Sequence, residues 1–419
     1  MNSRERVKMT LNHQQPDRVP VDLGATAITG IAAGALDNLR KALGLENQRV
    51  KVHEPFQILG MVEEDIINAL KIDVVGLWGR ETMFGYNNDS WKNWRTPQGI
   101  DVKIGKGFVT SKDEYGNTYV YPGGDLSVPP SAKLPKGGYY FDSITRQEEI
   151  DEDNMNGRED FKEQFKIFSE EDLKYYQKNA ESLYKNTQYG IIANFGGAGI
   201  GDLAHIPGPG LKKTPGIRKV DEWYMAHLLY PSYIHEVYSY QIEVALENLK
   251  LLKQAVGNKI EAIYISGTDF GTQRCEFMAP DMFREFYKPY YKRVNDWVHQ
   301  NTEWKTFYHS CGSIVNLMDD FVNMGVDILN PVQCSANGMD AKFLKDKYGD
   351  KLVFWGGGID TQKTLPFGAV DEIKAQVKER LEIFSKNGGY IFNPIHNIQA
   401  PTPVENVIAM FDALKEYNK

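Results

Sequence analysis

Cysteine is scarce in this sequence: Cys275, Cys311 and Cys334 are the only three in 419 residues. So few thiols, without framework spacing, argue against a disulfide-stapled scaffold and point to a reducing cytoplasm. Positive charge is also in deficit. The net charge is −8, with 48 Lys and Arg against 56 Asp and Glu, and no basic block dominates, so no nucleic-acid role is expected. No run of about 18 apolar residues occurs, so no membrane span is expected. The polar start, MNSRERVKMTLNHQQPDRVP, has no apolar segment of the secretory kind. What remains is ordinary globular composition, 42% hydrophobic and 25% charged, with 23 Tyr, 20 Phe and 7 Trp. The length suits two domains or one large α/β barrel with insertions.

Short apolar runs alternate with long amphipathic stretches. The runs RVPVDLG (18–24), IDVVGLW (72–78), YGIIANFGG (189–197), IEAIYISG (260–267), KTFYHS (305–310), VDILNPV (326–332), KLVFWGG (351–357) and GYIFNPI (389–395) read as buried parallel strands. Helical patterns lie between most of them. They include one from Asp221 to Val256, one from Ala279 to Gln300, and a last one opening with Thr402 as N-cap and Pro403 at the first helical position. Eight βα units predict a (β/α)8 TIM barrel. Residues 85–185 exceed what one crossover needs and read as an insertion between strands two and three, first a β-hairpin flap and then an acidic helical segment. The barrel is thus divided into 1–84, with strands one and two, and 186–419.

Functional side chains of such a barrel gather where strands end. Those positions hold Asp22; Trp78 and Arg80; Asn194; Asp269; His309 and Cys311; Cys334; the GGGID loop; and His396, Asn397 and Gln399. Thiolate and imidazole are favoured zinc ligands, and three protein ligands with one open position is the catalytic arrangement. His309, Cys311 and Cys334 supply such a set, with His396 as a fourth or alternative ligand. A small buried thiol at Cys334 and a hydrogen-bonded core histidine at His309 are the competing reading of the same residues. Arg80 suits a carboxylate clamp or a surface ion pair. The glycines of GGAGIG (196–201) suit a tight loop under a substrate better than a nucleotide site, because the G-x-G-x-x-G pattern is not met.

The runs YHSCGSIVNLMDDFVNMGVDILNPVQCSANGMD, FWGGGIDTQ and GGYIFNPIHNIQAPTPVENV carry a resemblance. The chain resembles the uroporphyrinogen decarboxylase superfamily, and within it the cobalamin-dependent methyltransferases that include aryl methyl ether O-demethylases. The resemblance covers strands one and two and nearly everything from residue 190 onward. It implies a (β/α)8 barrel and zinc held by an H-x-C motif, here His309 and Cys311, plus a distant cysteine. That cysteine is expected near the end of strand eight, where this chain has His396; Cys334 is the available thiol. This departure argues against the branch that methylates a thiol. The loop after strand one, DLGATAITGIAAGALDNL, has no arginine to hold porphyrinogen carboxylates, which sets decarboxylation aside as the alternative, beside a corrinoid methyltransferase for another methyl donor. The resemblance implies methyl transfer from a methoxylated aromatic compound to the cob(I)alamin of a partner corrinoid protein. Tyr264, Asp269 and His396 would assist as acid or hydrogen-bond donor, and Trp78, Arg80, Asn194, Asn397 and Gln399 would line the substrate space. The large insertion suits an active-site cover or a homodimer contact.

Overall fold

The computed structural model describes residues 1–46 and 48–419. Seven strands, Val74–Leu77, Gly190–Asn194, Ala262–Ser266, Lys305–His309, Ile328–Asn330, Val353–Trp355 and Tyr390–Ile391, form one parallel sheet. Neighbours in sequence are neighbours in space, as successive right-handed βα crossovers require. The two edges of this sheet meet on one segment. Val21 bridges Phe392 in parallel, and the Phe392 amide donates to Pro20 O at 2.8 Å while the Asp73 amide donates to Val21 O at 2.8 Å. The fold is therefore α/β, with a curled parallel sheet of the TIM-barrel kind.

The strand expected over 18–24 is reduced to that single bridge. Side chains take over its ladder: the Val21 amide donates to the Asp73 carboxylate at 3.0 Å and the Val19 amide to Asn418 Oδ1 at 3.0 Å. Alternation along each strand then splits the core. Val74, Ile192, Ala262, Phe307, Ile328, Val353 and Ile391, one from each strand, fill the inside, while Ile263, Ile265 and Phe354 face the helices. The helix Ser3–Leu11 closes the end where the strands begin, sending Val7 and Leu11 into the same inner cluster. At that end Asp73 accepts from Arg6 Nη1 at 2.7 Å and from Arg18 Nη1 and Nη2 at 2.8 Å each.

The pattern running from Asp221 to Val256 breaks into two helices, Val220–Leu229 and Pro231–Val256. Pro231 forces the break, because its ring excludes the helical region for Tyr230, which sits at φ −133°, ψ 53°. In the last helix, Val404–Tyr417, Pro403 rather than Thr402 occupies the N-cap and no side chain caps it. Between Val74–Leu77 and Gly190–Asn194 lie two small sheets. One joins Trp91–Arg95 and Asp101–Gly105 to Lys51–Glu54 and Leu59–Gly60; the other is the antiparallel run Thr110–Lys112, Thr118–Val120, Ala132–Leu134 and Asp142–Ser143. Residues 51–60, which sequence reading left without strands, thus belong to the first small sheet. The rings of Phe84, Phe108, Phe141 and Trp94 pack on one another there. The helix Glu170–Asn186 follows, opened by a capping box at Ser169. Among the described residues no helix is long and apolar enough to cross a membrane.

Candidate metal centre

The strand Lys305–His309 is apolar and buried over its last four residues, so its end delivers His309 into the barrel mouth. The chain then turns at Gly312, with φ +84°, where a Cβ would strike the backbone of Gly271. Only glycine fits that close approach, and it holds Cys311 against the neighbouring loop.

His309 is 3% exposed. Its Nδ1 donates to Asn330 Oδ1 at 2.5 Å, and Asn330 Nδ2 donates to Trp355 O at 2.7 Å. The second bond fixes the amide, the amide fixes the imidazole tautomer, and Nε2 is left with its lone pair. That atom lies 3.2 Å from Cys311 Sγ and 3.6 Å from Asp269 Oδ1. The same Oδ1 accepts from the Cys311 backbone amide at 2.6 Å. His396 comes in from beyond the last strand, its ring centroid 5.5 Å from that of His309. One ligand atom each from His309, Cys311 and His396 lie within 4.8 Å of one another.

Burial dominates the electrostatics. It pushes the His309 imidazole down to about 4 and lowers His396 as well, so both rings are neutral at neutral pH. Burial raises the Cys311 thiol well above its usual value, and the Asp269 carboxylate adds to that. Asp269 is itself raised by burial. Two neutral imidazoles, a thiol that a dication would deprotonate, and a hydrogen-bonded outer shell form a donor set suited to zinc.

The remaining residues singled out from the sequence fall elsewhere. Val332 adopts φ +57° and its carbonyl accepts the Cys334 amide at 2.8 Å. This turn sends the Cys334 thiol toward the helix layer, near Arg380, Glu379 and Asp340, where burial raises it to about 11. The set His309, Cys311 and Cys334 is thus not brought together, and His396 stands in the third place. Trp78 meets the His53 ring edge-on at 4.3 Å. Arg80 faces Asp172 of the Glu170–Asn186 helix at 3.8 Å. Asn194 donates to Ala25 O at 2.8 Å. Asn397 donates to Ala27 O and Gln57 Oε1 and accepts from the Gly30 amide, and Gln399 donates to Asn397 O. These four polar side chains brace the loops of the mouth. Tyr264 sits at the inner rim, edge-on to Phe307 at 5.8 Å. Asp22 is fully buried, accepts from Trp355 Nε1 at 2.9 Å, and is raised to about 7 by burial.

Sequence reasoning missed Asp202 and Tyr224. The charge of Asp202 reaches His309 and Tyr264, and Tyr224 feels both Asp202 and Asp269. Asp202 follows the glycine run after a strand, so the strand-end rule itself pointed there. Tyr224 lies inside a helix and carries no such signal.

Comparison with known proteins agrees with this architecture. No curated protein sequence matches the chain. Among solved structures, a methyltransferase from Methanosarcina mazei is similar over 100% of this chain and 100% of its own, with a TM-score of 0.55 and 17% identity, which speaks to the fold. Residues 216–417, just under half of the chain and including His309, Cys311 and His396, match the family model described as Uroporphyrinogen decarboxylase (URO-D).

Proposed function

We propose that the chain is a zinc-dependent methyltransferase of the uroporphyrinogen decarboxylase superfamily. It moves a methyl group from a methoxylated aromatic compound to the cob(I)alamin of a partner corrinoid protein. The observation that carries this reading is the convergence of His309, Cys311 and His396 where the strands of the curled parallel sheet end. Those three residues would hold the metal. When bound, zinc supplies Lewis acidity to the ether oxygen and the corrinoid supplies the nucleophilic cobalt.

The chain's own residues do the rest. Asn330 holds the His309 ring so that Nε2 presents its lone pair. Asp269 anchors the Cys311 backbone through its amide and places a carboxylate beside the donor set. Tyr264 presents a hydroxyl at the rim, placed to donate a hydrogen bond to the departing phenolic oxygen. Phe195 and Phe168, 6.1 Å apart edge to face, join the barrel loop to the insertion and help exclude water from that side. The test is demethylation of a methoxyarene with cob(I)alamin before and after chelation; activity that survives complete zinc removal contradicts the reading.

The URO-D match keeps a decarboxylase-like lyase in view. Such a lyase would need cations for its substrate carboxylates. Arg40, the first arginine after Asp22, pairs with Asp65 at 2.5 Å, and the mouth loop before it contributes none.

A further inference from the structure

Behind the candidate metal centre lies a closed ring of three hydroxyls that the chemistry given above does not use. Ser266 Oγ and the Tyr291 hydroxyl are 2.8 Å apart, and Thr268 Oγ1 stands 3.1 Å from the first and 3.2 Å from the second. Ser266, Thr268 and Tyr291 are all buried. The Thr268 hydroxyl donates to Ile200 O at 2.9 Å, and the Thr268 amide donates to Ser266 Oγ at 3.2 Å. With the Thr268 hydrogen directed to Ile200, the other two hydroxyl hydrogens stay inside the ring, so every donor has a partner.

A bulge makes the ring. Tyr264 pairs with Phe307 and Ser266 with Tyr308, so the strand Ala262–Ser266 carries one residue more than its neighbour at this point. The extra residue breaks the alternation of sides. Tyr264 packs on the inner cluster, whereas Ile265 and Ser266 both face the helix layer, Ser266 through Tyr291 of the helix Lys288–Asn301. Three loops are tied to the ring. Ile200 belongs to the loop that leads to Asp202. Gly267 follows Ser266, and a Cβ there would strike the Tyr264 hydroxyl. Asp269 follows Thr268 and accepts from the Cys311 amide at 2.6 Å, while the next amide, that of Phe270, donates to Ser310 Oγ at 2.9 Å. From the far side of the strand, Tyr291 thus reaches, through two short hydroxyl side chains, the segment that holds the Cys311 backbone.

We propose that Thr268 and Tyr291, acting with Ser266, are positioning residues of the metal centre: they fix the loop 266–271, and that loop holds Cys311 beside His309 and His396. The proposal rests on the metal-centre reading given above and adds to it residues that no ligand pattern marks.

The test is amide hydrogen exchange of the metal-free full chain, followed by titration with cobalt(II). Thr268→Val keeps the shape and removes the hydroxyl, Thr268→Ser restores it, and Tyr291→Phe opens the ring while leaving the Thr268 bond to Ile200. Thr268→Val should speed exchange about fivefold or more over 264–271 and 309–313 and leave the rest of the chain as it was. Thr268→Ser should return to the unaltered rate, and Tyr291→Phe should fall between. Unchanged exchange at 309–313, or an equal rise across the whole chain, overturns the proposal, because a merely structural hydroxyl gives one of these. Where Thr268→Val does not fold, Tyr291→Phe is held to the same outcomes. With cobalt(II) bound, the thiolate-to-metal absorption band reports the geometry around Cys311. It should shift in Thr268→Val and return in Thr268→Ser; a band identical in all variants overturns the proposal. If the unaltered chain takes up no cobalt, the metal-centre reading fails by itself, and the exchange rates alone decide whether the ring positions Cys311.

Discussion

The two ends of the barrel treat charge in opposite ways. Where the strands begin, buried charge is paired. Asp73, fully buried, is met by Arg6, Arg18 and the Val21 amide, and Arg6 also reaches Asp17 at 2.7 Å. Where the strands finish, buried His309 stands beside half-buried Cys311, Asp269 and His396, and the ion-pair partner of Asp269 among the described residues is the His309 ring. One arrangement meets a buried carboxylate with two guanidinium groups and fixes the fold. The other favours neutral imidazoles at His309 and His396 and the protonated thiol at Cys311, and a bound dication would draw off the thiol proton. Perturbed groups that converge where parallel strands end mark a candidate working site.

The contrast can be broken at either end. Asp73→Ala should be the most damaging change, because it leaves Arg6 and Arg18 without their shared partner; a loss of about 3–5 kcal/mol is expected in urea denaturation, with zinc binding by the folded fraction kept. Asp22 tests burial without a cation. Its folded pKa of about 7 stands above the ordinary 3.8, so between these values the folded chain holds the extra proton. Stability contributed at this site therefore falls as pH rises from about 4 to about 7 and stays lower above. Asp22→Asn keeps an acceptor for Trp355 and should raise Tm more at pH 8 than at pH 5. Asn330→Ala releases the His309 ring and should weaken zinc affinity by about 10–100-fold with little change in fold. Cys334→Ser should be the mildest, costing about 1 kcal/mol of packing and leaving zinc affinity where it was.

Much of the barrel was legible because parallel strands buried on both faces appear as short apolar runs. Seven of the eight runs are strands of the sheet. The first is reduced to one bridge, since the Val19 and Val21 amides turn to the Asn418 and Asp73 side chains, and no local pattern shows partners so far along the chain. Lys51–Glu54 and Leu59–Gly60 escaped notice because they are short: they pair with each other, and Lys51–Glu54 alone joins Asp101–Gly105. The H-x-C pair was singled out by its place at a strand end and by the family resemblance, its spacing alone being a weak signal. The third ligand was not, because the direction of the Cys334 thiol depends on the backbone turn at Val332. His396 could be placed beside His309 only by the closure of the barrel.

The central claim is that His309, Cys311 and His396, and not Cys334, hold a catalytic zinc. The most direct test is the zinc content of anaerobically purified protein beside its Cys311→Ser, His396→Ala and Cys334→Ser variants, each checked for folding by circular dichroism. The account predicts about one zinc per chain in the unaltered protein and in Cys334→Ser, and loss of the metal in the other two. Zinc retained by folded His396→Ala but lost from Cys334→Ser, or no affinity for zinc in the unaltered chain, would contradict it.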